Sequence, residues 1–192
     1  MCINKNDRVA RKDFKYIVAV ENSNPNGDPD EDNRPRINYI TGHGLINSGC
    51  IKGKIRSYTS DVLGMNNYIK KGVVLEEVNK KYLKKHLKGA NLSLEGRQIL
   101  MKEFYDVRTL GALVTISSKD ENGSGMGGGD IYGPVQIGWG ESVDPIDIID
   151  VSITRRCCAK KSEEGKEKGK FGGKYIVPFA YYVFEGNVNP QR

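Results

Sequence analysis

Histidine, cysteine and tryptophan are scarce in this chain of 192 residues, which has two, four and one of them. Cys2, Cys50, Cys157 and Cys158 form no C-x-x-C pair, and His43 and His86 complete no zinc-ligand spacing. A structural metal centre, a disulfide scaffold and a Cys–His catalyst are all disfavoured, and the cysteines read as ordinary reduced thiols. Long hydrophobic runs are missing too: nothing approaches the roughly 18 apolar residues that cross a bilayer, and mean hydropathy is −0.54. Residues 1–12 carry charge but no apolar segment fit for a secretory signal, so the chain is expected to be cytoplasmic with no membrane partner.

Positive charge and glycine are plentiful. Lys plus Arg number 30 against 24 Asp plus Glu, a net charge of +6 with a pI near 9.0, which favours a polyanionic partner. Glycine supplies 23 of 192 residues, about 12% against a typical roughly 7%, so loops and close backbone approaches matter here.

Residues 14–20 (FKYIVAV) are β-branched and aromatic and predict a buried strand, with a turn-rich loop over 21–35. Ile46, Cys50, Ile51, Ile55, Tyr58, Val62 and Leu63 recur at helical intervals behind Asn47 or Ser48 as N-cap. They predict an amphipathic helix with Lys52, Lys54 and Arg56 facing outward. Residues 65–89 are Lys-dense and read as a helical insertion. Ser93 caps a predicted helix over 94–104, and 107–116, 133–139, 147–154 and 175–185 read as strands. The segments 120–130 (DENGSGMGGGD) and 159–174 read as mobile loops that order on assembly. This order predicts an α+β fold of ferredoxin-like type, with helices on one face of an antiparallel or mixed sheet. Ending just after a strong strand, the chain reads as cut from a longer protein.

The motifs that carry chemistry are few. Gly123, Gly125 and Gly128 satisfy G-x-G-x-x-G, but a strand follows where a dinucleotide site needs a helix, and no Walker lysine is present. Asp28, Asp30 and Asp32 alternate as in a calcium loop, yet Asn33 and Tyr39 stand where that loop needs Gly and Glu. A solvated acidic loop, a metal site for RNA cleavage, or a contact with a basic neighbour all fit this run. Neither histidine has a nucleophile or carboxylate at a motif spacing. The aromatic strand signature of RNA-recognition modules is absent. Lys52, Lys54 and Arg56 can grip phosphates without reading bases, or form a solvated helix face.

Six ordered blocks, NPNGDPDEDNRPR (24–36), TGHGL (41–45), IKGKIR (51–56), DVRTLGA (106–112), GPVQ (133–136) and SITR (152–155), give the chain a specific likeness. Together they resemble the Cas-seven backbone subunit of CRISPR Cascade complexes, nearest to type I-C, within the RAMP superfamily. The resemblance implies an RRM-like palm with a helical fingers insertion and a thumb loop. Residues 1–63 would begin the palm, 64–92 would be the fingers, and 93–158 the rest of the palm with its Gly-rich loop. Residues 159–174 would form the thumb-like loop and 175–192 the last palm strand. It further implies a non-enzymatic subunit without cofactor or metal. Such a subunit stacks with copies of itself and other Cascade subunits along a CRISPR RNA and presents the guide to target DNA. In that role Lys52, Lys54 and Arg56 would grip phosphates, and Asn24, Asn26, Arg34 and Arg36 would line the groove, with Arg108 also on the RNA. Gly125, Gly127 and Gly128 would form the loop near the RNA, and Thr154, Arg155 and Arg156 the thumb base. The alternative is a metal-dependent endoribonuclease of the same superfamily that uses Asp28, Asp30 and Asp32.

Overall fold

A computed structural model describes residues 10–83, 87–88, 91–117, 126–155 and 170–190. In chain order the elements are β1 (Lys12–Ser23), β2 (Gly27–Asp28), a 3₁₀ turn (Pro29–Glu31), β3 (Arg34–Pro35), β4 (His43–Ile46) and α1 (Ser48–Asp61). They continue with α2 (Leu75–Leu83), β5 (Leu87–Lys88), β6 (Asn91–Leu92), α3 (Leu94–Glu103), α4 (Tyr105–Leu110) and β7 (Gly111–Ser117). The last four are β8 (Met126–Tyr132), β9 (Val135–Pro145), β10 (Ile149–Arg155) and β11 (Lys170–Val188). This is a mixed α and β fold with mainly antiparallel sheets. Among the described residues no helix is long and apolar enough to cross a membrane.

The chain forms two compact units. The first gathers Met1–Phe14, Ile51–Ile137 and Gly186–Arg192, and the second Lys15–Cys50 and Gly138–Glu185. The core of the first is a cluster of Tyr68, Leu83, Leu92, Leu100, Phe104, Val107, Ala112, Val114 and Ile131. Helices α2, α3 and α4 pack there against the hairpin of β7 and β8, whose seven residue pairs run from Gly111↔Tyr132 to Ser117↔Met126. Ser93 caps α3, its Oγ accepting the Gly96 N–H at 3.1 Å, as its sequence position predicts.

In the second unit the strands follow the order β1-β11-β9-β4, with β10 added on β11. Along β11, Val177 is buried, then Ala180, Tyr182 and Phe184. The buried parity switches across Pro178, which has no N–H to give to a ladder. Phe184 stacks on Tyr16 at 4.7 Å between centroids. The alternate residues Ile17, Trp139, Val143, Phe179 and Tyr181 are exposed.

Several sequence expectations are corrected. Residues 21–35 are not plain loop: β2 pairs with β3 around the 3₁₀ turn, with Asp32 and Asn33 at positive φ. In 65–89 only Leu75–Leu83 is helical among the described residues, because bends and a turn with Gly72 at positive φ precede it. The strand predicted over 107–116 begins only at Gly111. Val107 to Leu110 finish α4 because Tyr68 N–H and Asp106 tie that turn into the core. Met126–Asp130 of the predicted loop lies in β8, and 120–125 falls outside the described residues. Lys170–Lys174 likewise belongs to β11, while 159–169 is outside. On α1 Tyr58 is exposed, as are Val62 and Leu63 just past its end at Asp61, and the inward positions are Ile51, Ile55 and the buried Thr59. Their spacing of four sets that face, and the Asn67 side chain donates to Thr59 Oγ1 at 2.9 Å.

Candidate nucleic-acid interface

The start of α1 is fixed by side-chain amides. Asn47 Oδ1 accepts the Cys50 N–H at 2.7 Å, an N-cap, and the Asn47 N–H donates to Asn26 Oδ1 at 2.8 Å. One turn further on, Lys52 and Arg56 stand four residues apart and share a face. Both line a cleft of about 280 Å³ in the first unit, with Ile69, the β7 start at Gly111 to Leu113, the β8 end at Asp130 to Tyr132, and Gln136. Lys54 is exposed on another face of the helix.

Two of the three cations therefore do not face outward as expected. Arg56 Nε donates to Asp106 Oδ2 at 2.9 Å, and the Arg56 side chain is only 14% exposed while that of Asp106 is fully buried. Lys52 is half-buried, and its pKa is lowered from the ordinary 10.5, first by burial and then by the neighbouring charge of Arg56. Lys52 and Arg56 thus stand together at the cleft with part of their hydration removed, the charge of Arg56 already facing the buried carboxylate of Asp106.

At Gly111, which lines the cleft, two glycine backbones approach closely. Gly111 has φ +79°, and a Cβ there would meet the Ile131 carbonyl and lie 2.7 Å from Gly133 N. Gly133 is equally confined against Thr109 and Gly111. These are the glycines of the DVRTLGA and GPVQ blocks. They let β7 leave α4 directly beneath the cations.

The remaining predicted residues have other occupations. In the second unit, Asn24 Nδ2 donates to the Asn33 carbonyl at 2.6 Å, and Asn26 braces Asn47. Arg36 Nη1 pairs with Asp28 Oδ2 at 2.7 Å, and Asp28 Oδ1 accepts the Asp30 N–H at 3.2 Å. Arg34 is exposed and lies over the Tyr175 ring at 4.6 Å, and hydrogen bonding to that side chain raises its pKa. In the first unit, Arg108 Nη1 donates to the Met101 and Lys102 carbonyls, both at 3.1 Å, closing the end of α3. Gly127 and Gly128 are strand residues opposite Ile116 and Thr115, not loop. Thr154 and Arg155 pair in β10 with Phe171 and Lys170. Gly125 and Arg156 lie outside the described residues.

Among the described residues no group of three His, Cys, Asp or Glu is placed to hold a metal ion. Asp28, the best buried member of the acidic run, is already shared between Arg36 and the 3₁₀ turn.

Sequence reasoning missed four residues of this region. Asp106 sat in a quoted block with no role assigned. Tyr132 and Gln136 line the cleft, and Arg97 Nη1 donates to the Asp130 carbonyl at 2.6 Å. Asp106 and Gln136 stand in the quoted DVRTLGA and GPVQ blocks, but that they meet Arg56 and the cleft depends on contacts distant in the chain, as do the places of Tyr132 and Arg97.

Comparison with known proteins gives the following. The family described as "CRISPR-associated protein Cas7" matches residues 10–192. A curated relative from Haloferax volcanii, "CRISPR-associated protein Cas7", is 29% identical over 118 residues, which are 58% of this chain and 34% of the relative. The chain thus spans about a third of the length of that relative. Among solved structures, a chain of "CRISPR RNA-guided surveillance complex, pre-nicking" superposes with a TM-score of 0.51 at 13% identity, over 94% of this chain and 65% of that one. The likeness is one of fold. A chain of "Cryo-EM structure of the Type III-B Cmr-beta bound to cognate target RNA" gives 0.45 at 12% identity, over 93% and 46%.

Proposed function

From the premise that the chain belongs to the Cas7 family, we propose that it is a CRISPR RNA-binding backbone subunit of a type I interference complex. It holds the guide by its phosphates, whatever the sequence, and presents it for pairing with target DNA beside further copies and companion subunits. The observation that carries this reading is the cleft with Lys52 and Arg56 on one wall and the exposed Lys54 on the same helix. A holder of any guide needs charges for the backbone and no base-edge readers. The strand order supports an RRM-like palm: β11, third of the three long strands, lies between β1 and β9, the first and second. The type I-C affinity and the palm, fingers and thumb assignments belong to the same proposal.

The test is titration of labelled single-stranded RNAs of different sequence across salt concentrations. Affinity should be uniform over sequences. For the triple alanine variant of Lys52, Lys54 and Arg56 the log–log salt slope should fall by about 2, at roughly 0.7 per phosphate contact. An unchanged slope in a folded variant defeats the reading. Cleavage of the RNA with magnesium or manganese, abolished by Asp30→Ala, would establish the nuclease alternative instead.

A further inference from the structure

The buried carboxylate of Asp106 is held from four directions. Its Oδ1 accepts the N–H groups of Tyr68 at 2.7 Å and Val107 at 3.0 Å, and its Oδ2 accepts Ile69 N–H at 3.1 Å and Arg56 Nε at 2.9 Å. Three of these donors are backbone groups that cannot swing away, so the carboxylate has one orientation and dictates where the guanidinium lies. The Arg56 backbone is fixed as well, its carbonyl accepting from Asn67 Nδ2 at 2.8 Å and Thr59 Oγ1 at 3.1 Å. Arg56 gives Asp106 only its Nε. Its two Nη groups have no protein partner among the described residues, and the side chain lines the cleft beside Lys52.

We propose that Asp106 is a positioning residue for nucleic-acid binding: by taking Nε of Arg56 it presents the Nη pair to the cleft as a preset fork for one phosphate. A guanidinium can do both tasks because its donors point along separate edges, while an ammonium has one centre. Fixing the fork beforehand removes ordering cost when the phosphate arrives. This rests on the cleft being the RNA site.

A merely structural carboxylate makes the opposite prediction. Removing its charge takes the net charge from +6 to +7, which on long-range electrostatics alone tightens RNA binding. The experiment compares wild type, Asp106→Asn, Arg56→Ala and the double variant, with a labelled uridine homopolymer titrated across salt concentrations and folding checked by circular dichroism. In Asp106→Asn the amide NH₂ faces the Ile69 N–H and Arg56 Nε, donor against donor. The positioning role predicts weaker binding and a salt slope smaller by about 0.7, the same loss as in Arg56→Ala, with no further loss in the double variant. Tighter binding or an unchanged slope in folded Asp106→Asn, with the slope reduced in Arg56→Ala, overturns the positioning role alone. An unchanged slope in Arg56→Ala overturns the cleft reading and this inference with it. Should Asp106→Asn fail to fold, Arg56→Lys decides. It keeps the charge and can still pair with Asp106, so the positioning role predicts the same loss of about 0.7, and a wild-type slope overturns it.

Discussion

Two side chains show how a buried polar group sets stability and its dependence on pH. Lys52 has a pKa lowered by burial and by Arg56, so its charged form is worse placed in the folded protein than in the unfolded chain. Between the lowered folded value and the unfolded 10.5, the unfolded state binds more protons and stability rises with pH. Below that window the charge is a net cost to the fold. Lys52→Met keeps the stem and removes the charge. It should melt at or above the wild-type temperature at neutral pH while binding RNA more weakly, and a less stable variant would refute this. Tyr182 is the reverse case. Its hydroxyl is buried with no hydrogen-bond partner among the described residues, and burial pushes its pKa up to about 12. The protonated form is therefore favoured by folding, a contribution that is whole below pH 10 and is lost as pH rises through about 12. Tyr182→Phe removes the orphan group. It should be as stable as wild type or up to about 1 kcal/mol more stable by denaturant titration, and should lack the alkaline loss.

At the scale of elements, helix α1 was legible in sequence, because its N-cap Asn47 and its cationic turn are local features. Which way the cations point was not. That depends on Asp106, fifty positions away, and on Thr59 and Asn67, whose hydrogen bond puts a polar residue where the apolar pattern suggested Tyr58 or Val62. Helix α4 was misread as strand for a similar reason. Its Val107 and Thr109 favour extended backbone by propensity, but Asp106 holds the turn and Gly111 ends it at φ +79°. The long strands β1 and β11 were legible because aromatic and β-branched runs need no partner to declare themselves. The crossing of Gly111 and Gly133 was quoted as two motifs without its geometry. Gly111→Ala adds a Cβ against the Ile131 carbonyl at a strained φ, and should cost about 3 kcal/mol or more by chemical denaturation. A variant as stable as wild type would show that β7 and β8 can separate there.

For the whole molecule, the division into units separates continuous from discontinuous sequence. The core cluster from Tyr68 to Ile131 and the cleft from Lys52 to Gln136 both lie within one stretch of chain, whereas the second unit needs two distant pieces. A fragment of residues 47–137 should therefore retain a cooperative thermal transition and the part of the salt slope that belongs to Lys52 and Arg56, and a melt without cooperativity would count against it. Neither 15–50 nor 138–185 alone should fold. This division was invisible in the sequence, where composition changes at other places than the unit boundaries, which fall inside β1, α1, β9 and β11.

The exposed ring of Trp139 has a photophysical consequence. It is the chain's one tryptophan and is 57% exposed on β9, beside Val143, Glu141 and Val183. With more than half of the residue in water, its emission is expected to lie toward the red already in the folded protein, so unfolding should change the colour less than for a buried indole, and melts are better followed by ellipticity. The same property makes it a reporter without a label. Any molecule that covers this side of the sheet will shift the emission to the blue and shield the indole from iodide.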